Sequence, residues 1–167
     1  MAEVLAVELL ARRDVDAAVV SCGLMEGGVA ASAGAVRAMA RRGLDLSGHL
    51  SHQMDSDTVE VADLIVTMER RHIASVAELS VPAVRRTFKL MELADLAVVV
   101  GPRRPGATTR SWISEADAMR MPEAVMTASS DSDIDDPMGG PNRAYRRTAD
   151  QISELLEIVV GSVFPAS

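Results

Sequence analysis

The chain has 167 residues, 48 % of them hydrophobic, and carries a formal net charge of −7 at pH 7. This length fits one domain with a sizeable core, and the hydrophobic content excludes a disordered chain. The acidic charge and an aromatic content of only 2 % argue against a nucleic-acid partner and against an anionic membrane surface.

Cysteine usage and the apolar runs bear on localisation. The single cysteine excludes an intramolecular disulfide, so nothing implies an oxidising compartment. No apolar run approaches the roughly 18 residues of a membrane span. The first residues include Glu3 and Glu8 and form no basic leader of a signal peptide. We therefore expect a cytoplasmic protein.

The first third of the chain predicts helices and one strand. Propensity and spacing predict a helix over residues 1–13, and the apolar run at 16–22 predicts a short buried strand. Ser32 is a good capping residue for a helix over residues 33–42. Residues 56–61 are expected to form a further short helix.

The remainder alternates strands with helices. We predict strands at 62–68 and 84–90, helices at 70–79, 91–100 and 142–163, and a polar insertion at about 102–133 that contains one short helix near 114–121. With the first strand this gives three strands, and the alternation predicts a parallel α/β sheet with helices on both faces. We expect a single domain spanning residues 1–167.

One stretch combines acidic side chains, a proline and two glycines. It runs from Asp133 to Gly140 and includes the sequence Asp-Pro-x-Gly. Such a turn is rigid at proline and permissive at glycine, so it can hold the carboxylate of Asp136 at a fixed angle, as a general acid requires. The alternative is an ordinary turn before a helix.

Three segments together resemble the low-molecular-weight protein tyrosine phosphatase family, which also includes thioredoxin-coupled arsenate reductases. They are AMARRGLDLSGH at 38–49, ADLIVTMER at 62–70 and DDPMGG at 135–140, the last followed by a helix that carries Tyr145. Their order and spacing fit the family over nearly the whole chain. The resemblance implies a Rossmann-like three-layer α/β/α fold, with three of the family's usual four parallel strands present.

The resemblance also implies roles for four residues. Asp136 matches the aspartate that protonates the leaving oxygen of a phosphomonoester, and His49 matches a histidine that supports the phosphate loop. Met138 and Met25 stand at or near positions where the family commonly has aromatic walls of the substrate slot. Methionine has no fixed stacking face, so we expect no strict preference for phosphotyrosine.

The family's phosphate loop is not found in the sequence. The segment Met1-Ala2-Glu3-Val4-Leu5 resembles the helix that follows the loop, so we expect the chain to lack the first strand and the Cys-x5-Arg loop. Cys22 does not substitute, because Gly28 rather than arginine stands six positions later. We expect Cys22 to be a buried structural thiol at the end of a strand.

No metal site or cofactor is predicted. His52 and His72 stand alone, without carboxylates or cysteine at metal-ligand spacing. The aspartates at 131–136 do not have the spacing of a calcium loop, and a mobile acidic loop is the expected alternative.

These observations predict a phosphatase-family protein whose 167 residues are inactive because the nucleophile loop is absent, and the first hypothesis is that the sequence begins too late, after the first strand and that loop. In the family, phosphomonoesters are hydrolysed through a cysteinyl-phosphate, and the substrate is a phosphorylated protein or a small phosphomonoester. The alternative is a catalytically dead binding module of the same fold. Arsenate reduction is a remote alternative, because its further redox cysteines are absent.

The missing strand has a consequence for assembly. In the family it lies between the strands expected here at 16–22 and 62–68. Its absence would leave a gap or force those two strands to pair, and either arrangement would expose an apolar sheet edge. Such an edge favours dimerisation, domain swapping or poor solubility, and we expect a homodimer through it.

Overall fold

The computed structural model describes residues 1–120 and 133–165. In chain order the helices are α1 (Ala2–Ala11), α2 (Ala33–Ala40), α3 (Ser56–Val61), α4 (Arg70–Leu79), α5 (Leu90–Val100), α6 (Thr109–Met119) and α7 (Asn142–Val163). The strands are β1 (Ile65–Thr67) and β2 (Thr87–Lys89), and a 3₁₀ helix (Val81–Arg86) precedes β2. None of the helices in the described ranges is long and apolar enough to cross a membrane.

The chain divides into two compact units, one formed by residues 1–54 and 135–157 and the other by residues 55–134 and 158–167. They are called unit 1 and unit 2. The expectation of a single domain stays a prediction.

Unit 1 contains α1, α2 and most of α7. The Ser32 side chain accepts a hydrogen bond from the Ala35 amide (3.3 Å), which caps α2 as the sequence predicts. Gly34 of α2 lies against the ring of Tyr145 in α7, so these two helices approach closely at a residue without a side chain. The apolar faces of the three helices are buried, with Leu5, Leu9, Met39, Tyr145 and Ile152 among the core residues.

Two irregular segments of unit 1, residues 23–31 and 49–54, pair with one another. Gly23 forms a parallel bridge to Gln53, and Ala30 forms an antiparallel bridge to Leu50. The Gly28 amide donates to the carbonyl of Ser51 at 2.7 Å. These bonds satisfy the backbone of a region that the sequence predicts as loop and connector.

Unit 2 contains a two-stranded parallel sheet. Ile65, Val66 and Thr67 of β1 are in register with Thr87, Phe88 and Lys89 of β2. The connection through α4 and the 3₁₀ helix is the helical crossover that parallel strands need. The parallel sheet with helical connections confirms the predicted α/β class.

The single tryptophan is part of the core of unit 2. Trp112 of α6 is buried, and its Nε1 donates to the carbonyl of Gly101, just after α5, at 2.8 Å. Arg103 forms two hydrogen bonds to the end of α7. Its amide donates to the Ser162 carbonyl (2.7 Å) and its Nε donates to the Val163 carbonyl (2.6 Å). Within the predicted insertion at about 102–133, the helix is α6 at residues 109–119, where the sequence predicts a short helix near 114–121. Residues 121–132 lie outside the described residues.

Two predictions about residues 16–22 are wrong. These residues form no strand, and in the described chain the sheet consists of β1 and β2, so two strands replace the expected three and no direct pairing of 16–22 with 62–68 occurs. A strand needs a neighbour for its backbone groups, and here the Ser21 amide donates to the Glu3 carboxylate instead (2.9 Å). Val20 is 67 % exposed, and Cys22 is exposed rather than buried.

Candidate functional site

Asp136 lies in a short turn immediately before α7. Its Oδ1 accepts a hydrogen bond from the Met138 amide at 2.9 Å, and the Gly140 amide donates to the Pro137 carbonyl at 2.9 Å. Gly139 has φ +76°, which favours glycine. These contacts orient the Asp136 carboxylate and leave the residue exposed. We call residues 136–140 the acid turn.

The acid turn is fixed to the rest of unit 1 through α7. Thr148 is buried, and its Oγ1 donates to the Asp135 carbonyl at 3.4 Å. One turn earlier in α7, the buried Tyr145 has its hydroxyl 3.3 Å from Oγ of Ser32, the cap of α2. The start of α7 therefore connects the acid turn to α2 through side chains that have little freedom to move.

His49 lies beside the first turn of α1. Its Nδ1 is 4.0 Å from Glu3 Oε1, and both the amide and the hydroxyl of Ser21 donate to Glu3 Oε2. Glu3 thus holds together α1, the segment before residue 23 and the imidazole. Sequence reasoning missed this role, because a carboxylate in the first turn of a helix is also what the helix dipole favours.

The two methionines expected at the substrate slot are both on the surface. Met25 is 82 % exposed and Met138 is 74 % exposed. Met138 shares the acid turn with Asp136, whereas Met25 lies in the 23–31 segment that pairs with the segment containing His49. The structure therefore brings the four expected site residues together as two pairs, and no hydrogen bond among the described residues joins one pair to the other.

A buried ion pair lies just upstream of the acid turn, in unit 2. Lys89 is the last residue of β2 and is 1 % exposed, and its Nζ is 3.2 Å from Asp133 Oδ1. The next amide, that of Ile134, donates to the Met68 carbonyl after β1 at 2.9 Å. Together these contacts fix residues 133 and 134 at the carboxyl end of the parallel strands. No sequence pattern indicates a pairing between residues 44 positions apart.

His72 lies in α4, and its imidazole is partly buried. Partial burial lowers its pKa, the carboxylate of Glu69 opposes that change, Arg71 lowers the pKa further and Asp133 raises it. No group of three or more His, Cys, Asp or Glu side chains in the described residues is arranged to hold a metal ion.

Comparison with known proteins places this arrangement in a family. The model of the low molecular weight phosphotyrosine protein phosphatase family matches residues 1–101, which is more than half of the chain. A search of curated protein sequences finds no significant match. The family match covers α1, the Glu3–His49 contact and the β1–β2 sheet, whereas the acid turn lies beyond it.

Three solved structures share the fold over most of their length. A low molecular weight protein tyrosine phosphatase from Bacillus subtilis has a TM-score of 0.70 at 23 % identity, covering 97 % of this chain and 86 % of that one. A low molecular weight protein tyrosine phosphatase from T. tengcongensis has a TM-score of 0.69 at 21 % identity, with coverages of 95 % and 86 %. The YwlE arginine phosphatase from Geobacillus stearothermophilus has a TM-score of 0.62 at 21 % identity, with coverages of 94 % and 81 %.

The fold of these phosphatases extends over residues that the family model does not reach, since each similarity covers more than nine-tenths of the chain. The Rossmann-like α/β fold expected from the three sequence segments is confirmed by these similarities. The chain belongs to the low molecular weight phosphotyrosine protein phosphatase family.

Proposed function

We propose that Asp136 is the proton donor of a phosphomonoester-hydrolysing site, and that the 167 residues supply this acid but no thiol nucleophile. The acid turn carries the proposal. An exposed carboxylate that accepts one backbone hydrogen bond at Oδ1 keeps Oδ2 for proton transfer to a leaving oxygen. Its attachment through Thr148 to α7 gives the carboxylate a defined position.

The proposal that these residues supply no thiol nucleophile rests on the sequence. Cys22 is the single cysteine, and the residue six positions after it is Gly28. A cysteine phosphatase needs a thiolate to attack phosphorus, with amides and an arginine gripping the phosphoryl oxygens. General-acid assistance alone is worth roughly 10²–10⁴-fold, which is too little for turnover without a nucleophile.

In the proposed step a thiolate from a Cys-x5-Arg loop forms a bond to phosphorus while the bond from phosphorus to the leaving oxygen breaks. The Asp136 carboxyl gives its proton to that oxygen. The substrate class is a phosphorylated protein or a small phosphomonoester. Met25 and Met138 support a permissive rather than an aromatic-specific slot, because both are exposed and flexible.

The first test uses the 167-residue chain and para-nitrophenyl phosphate. We expect a folded protein with no turnover. Measurable hydrolysis would contradict the proposal that these residues supply no nucleophile. The second test joins a strand and Cys-x5-Arg loop from a structurally similar phosphatase in front of Met1. We expect this chimera to gain activity, and Asp136→Asn to lower its kcat by about 10²-fold or more. The matched control is Asp135→Asn, an adjacent exposed carboxylate that should change kcat little. Equal losses in both variants would contradict the role of Asp136.

A binding module of the same fold is the second candidate. Such a module retains the fold and recognises a phosphorylated partner without turning it over. The chimera separates the two candidates. If adding the loop restores no hydrolysis although the chimera folds, the acid turn is not a surviving part of a catalytic site.

We also propose a homodimer through the sheet edge and a cytoplasmic location. The dimer is supported by β1 and β2 pairing only with each other among the described strands, which leaves backbone groups at each outer edge. Sedimentation over a range of concentrations tests it, and a monomer throughout would contradict it. The location is supported by the single cysteine.

A further inference from the structure

A small cleft in unit 1 is surrounded by arginines. It lies where α2 meets the start of α7 and is a shallow depression that is open to solvent. Its lining consists of three arginines, one asparagine and two small residues: Arg37, Arg41, Arg146, Asn142, Gly34 and Ala38. We call it the arginine cleft. It shares no residue with the acid turn.

Within the described part of the chain, no carboxylate balances the charges around the cleft. None of Arg37, Arg41 and Arg146 forms an ion pair with a carboxylate in residues 1–120 or 133–165. Their neighbour Arg42 does, with Asp150. In a chain with 24 acidic residues and 17 basic ones, three guanidinium groups around one cleft without a carboxylate partner in the described ranges indicate a site for an external anion.

The remaining lining residues suit a small oxyanion. Arg37 donates from Nε and Nη2 to Asn142 Oδ1 (3.3 and 3.0 Å), which orients its guanidinium at the cleft. Asn142 begins the 22-residue helix α7, whose amino end carries partial positive charge. Gly34 and Ala38 occupy little volume, so oxygens of an anion can approach the three cations.

We propose that the arginine cleft binds a phosphoryl group through Arg37, Arg41 and Arg146. Guanidinium groups match phosphate oxygens in geometry, and three of them suit a doubly charged tetrahedral group better than a carboxylate of single charge. The cleft is shallow, so it takes one phosphoryl group rather than a large ligand. The group is carried either by a small free anion or by a phosphorylated side chain.

Calorimetric titration of the 167-residue chain tests the proposal, with inorganic pyrophosphate and phosphoserine as separate probes at constant ionic strength. We expect saturable binding of one equivalent. Arg41→Gln and Arg146→Gln are each expected to weaken binding about tenfold, since a charge-assisted hydrogen bond is worth about that factor. The matched control is Arg143→Gln, which removes the same charge from the same helix outside the cleft and should weaken binding less than threefold.

The outcomes are distinct. Tighter binding of phosphoserine assigns the cleft to a phosphorylated side chain, and tighter binding of pyrophosphate assigns it to a free anion. Both support the proposal. Absence of saturable binding by the unmodified chain overturns it, as does an equal loss in Arg143→Gln, which would indicate a general effect of charge. The three cleft arginines and Arg143 are exposed, and a thermal melt confirms that each variant is folded. Binding that persists in Asp136→Asn separates this site from the proposed proton donor.

Discussion

Gly34 is the position where helix propensity and packing oppose one another most clearly. In an exposed helix, Gly→Ala is stabilising by up to about 1 kcal/mol. Here an added Cβ would stand 2.5 Å from Cζ and 2.7 Å from Cδ2 of the Tyr145 ring. Carbon atoms prefer about 3.5–4.0 Å, so the ring or the helix must shift by about 1 Å. The ring is buried and its hydroxyl meets Ser32, which leaves it little room.

We therefore expect Gly34→Ala to lower the free energy of unfolding. Overpacking costs about 1–3 kcal/mol, and subtracting the propensity gain leaves a loss of about 1 kcal/mol. The measurement is urea denaturation followed by far-ultraviolet circular dichroism, in wild-type and Tyr145→Leu backgrounds. Once the ring is removed, the same substitution should stabilise, so the coupling free energy is about 2 kcal/mol. If Gly34→Ala stabilises both backgrounds equally, the reasoning from the Tyr145 contact is refuted.

Two further predictions concern charged groups in unit 2. Burial lowers the pKa of His72, so the unfolded chain binds more protons and stability falls as the pH drops from above 6.5 through the lowered pKa. His72→Gln should therefore flatten the dependence of the urea midpoint on pH between about 7.5 and 5. Arg120 is buried, with Nε 3.0 Å from Glu92 Oε1. Arg120→Met should cost about 3 kcal/mol, because it removes the ion-pair partner of a carboxylate that is only 17 % exposed.

Each of these predictions has a matched control. Ala74→Gln, at an exposed position of α4, introduces the same side chain without removing a titratable group and should leave the slope with pH as in the wild type. A slope unchanged by His72→Gln would contradict the inference from burial. Arg104→Met breaks an exposed ion pair with Glu115, at a side chain 74 % exposed, and should cost less than about 1 kcal/mol. Similar losses for Arg104→Met and Arg120→Met would show that burial does not set the cost.

Features determined by nearby residues could be predicted from the sequence. The bounds of α3 and α4 match the predicted ranges, and Ser32 caps α2 as expected, because caps and apolar periodicity act within one or two turns. Asp136 and Met138 are two positions apart, so one turn could be expected to contain both.

Features determined by distant partners could not be predicted. Residues 16–22 have the apolar composition of a strand. A strand forms only where a second strand can pair with its backbone, and the sequence of the segment does not show whether such a partner is present. The exposure of Cys22 follows from the same error. The Lys89–Asp133 pair and the Glu3–His49 contact each join residues more than 40 positions apart. The arginine cleft likewise combines Arg37 and Arg41 with Arg146, and folding brings these three residues to one surface.

The position of Trp112 has a practical consequence for all of these measurements. The chain has one tryptophan, in unit 2, and one tyrosine, Tyr145, in unit 1. Trp112 donates its indole N–H to a backbone carbonyl in a buried setting, so its emission will change when unit 2 opens. Absorbance of Tyr145 reports on unit 1. The two chromophores thus form a natural pair of probes, and superimposable urea curves from both would identify the units as one cooperative body.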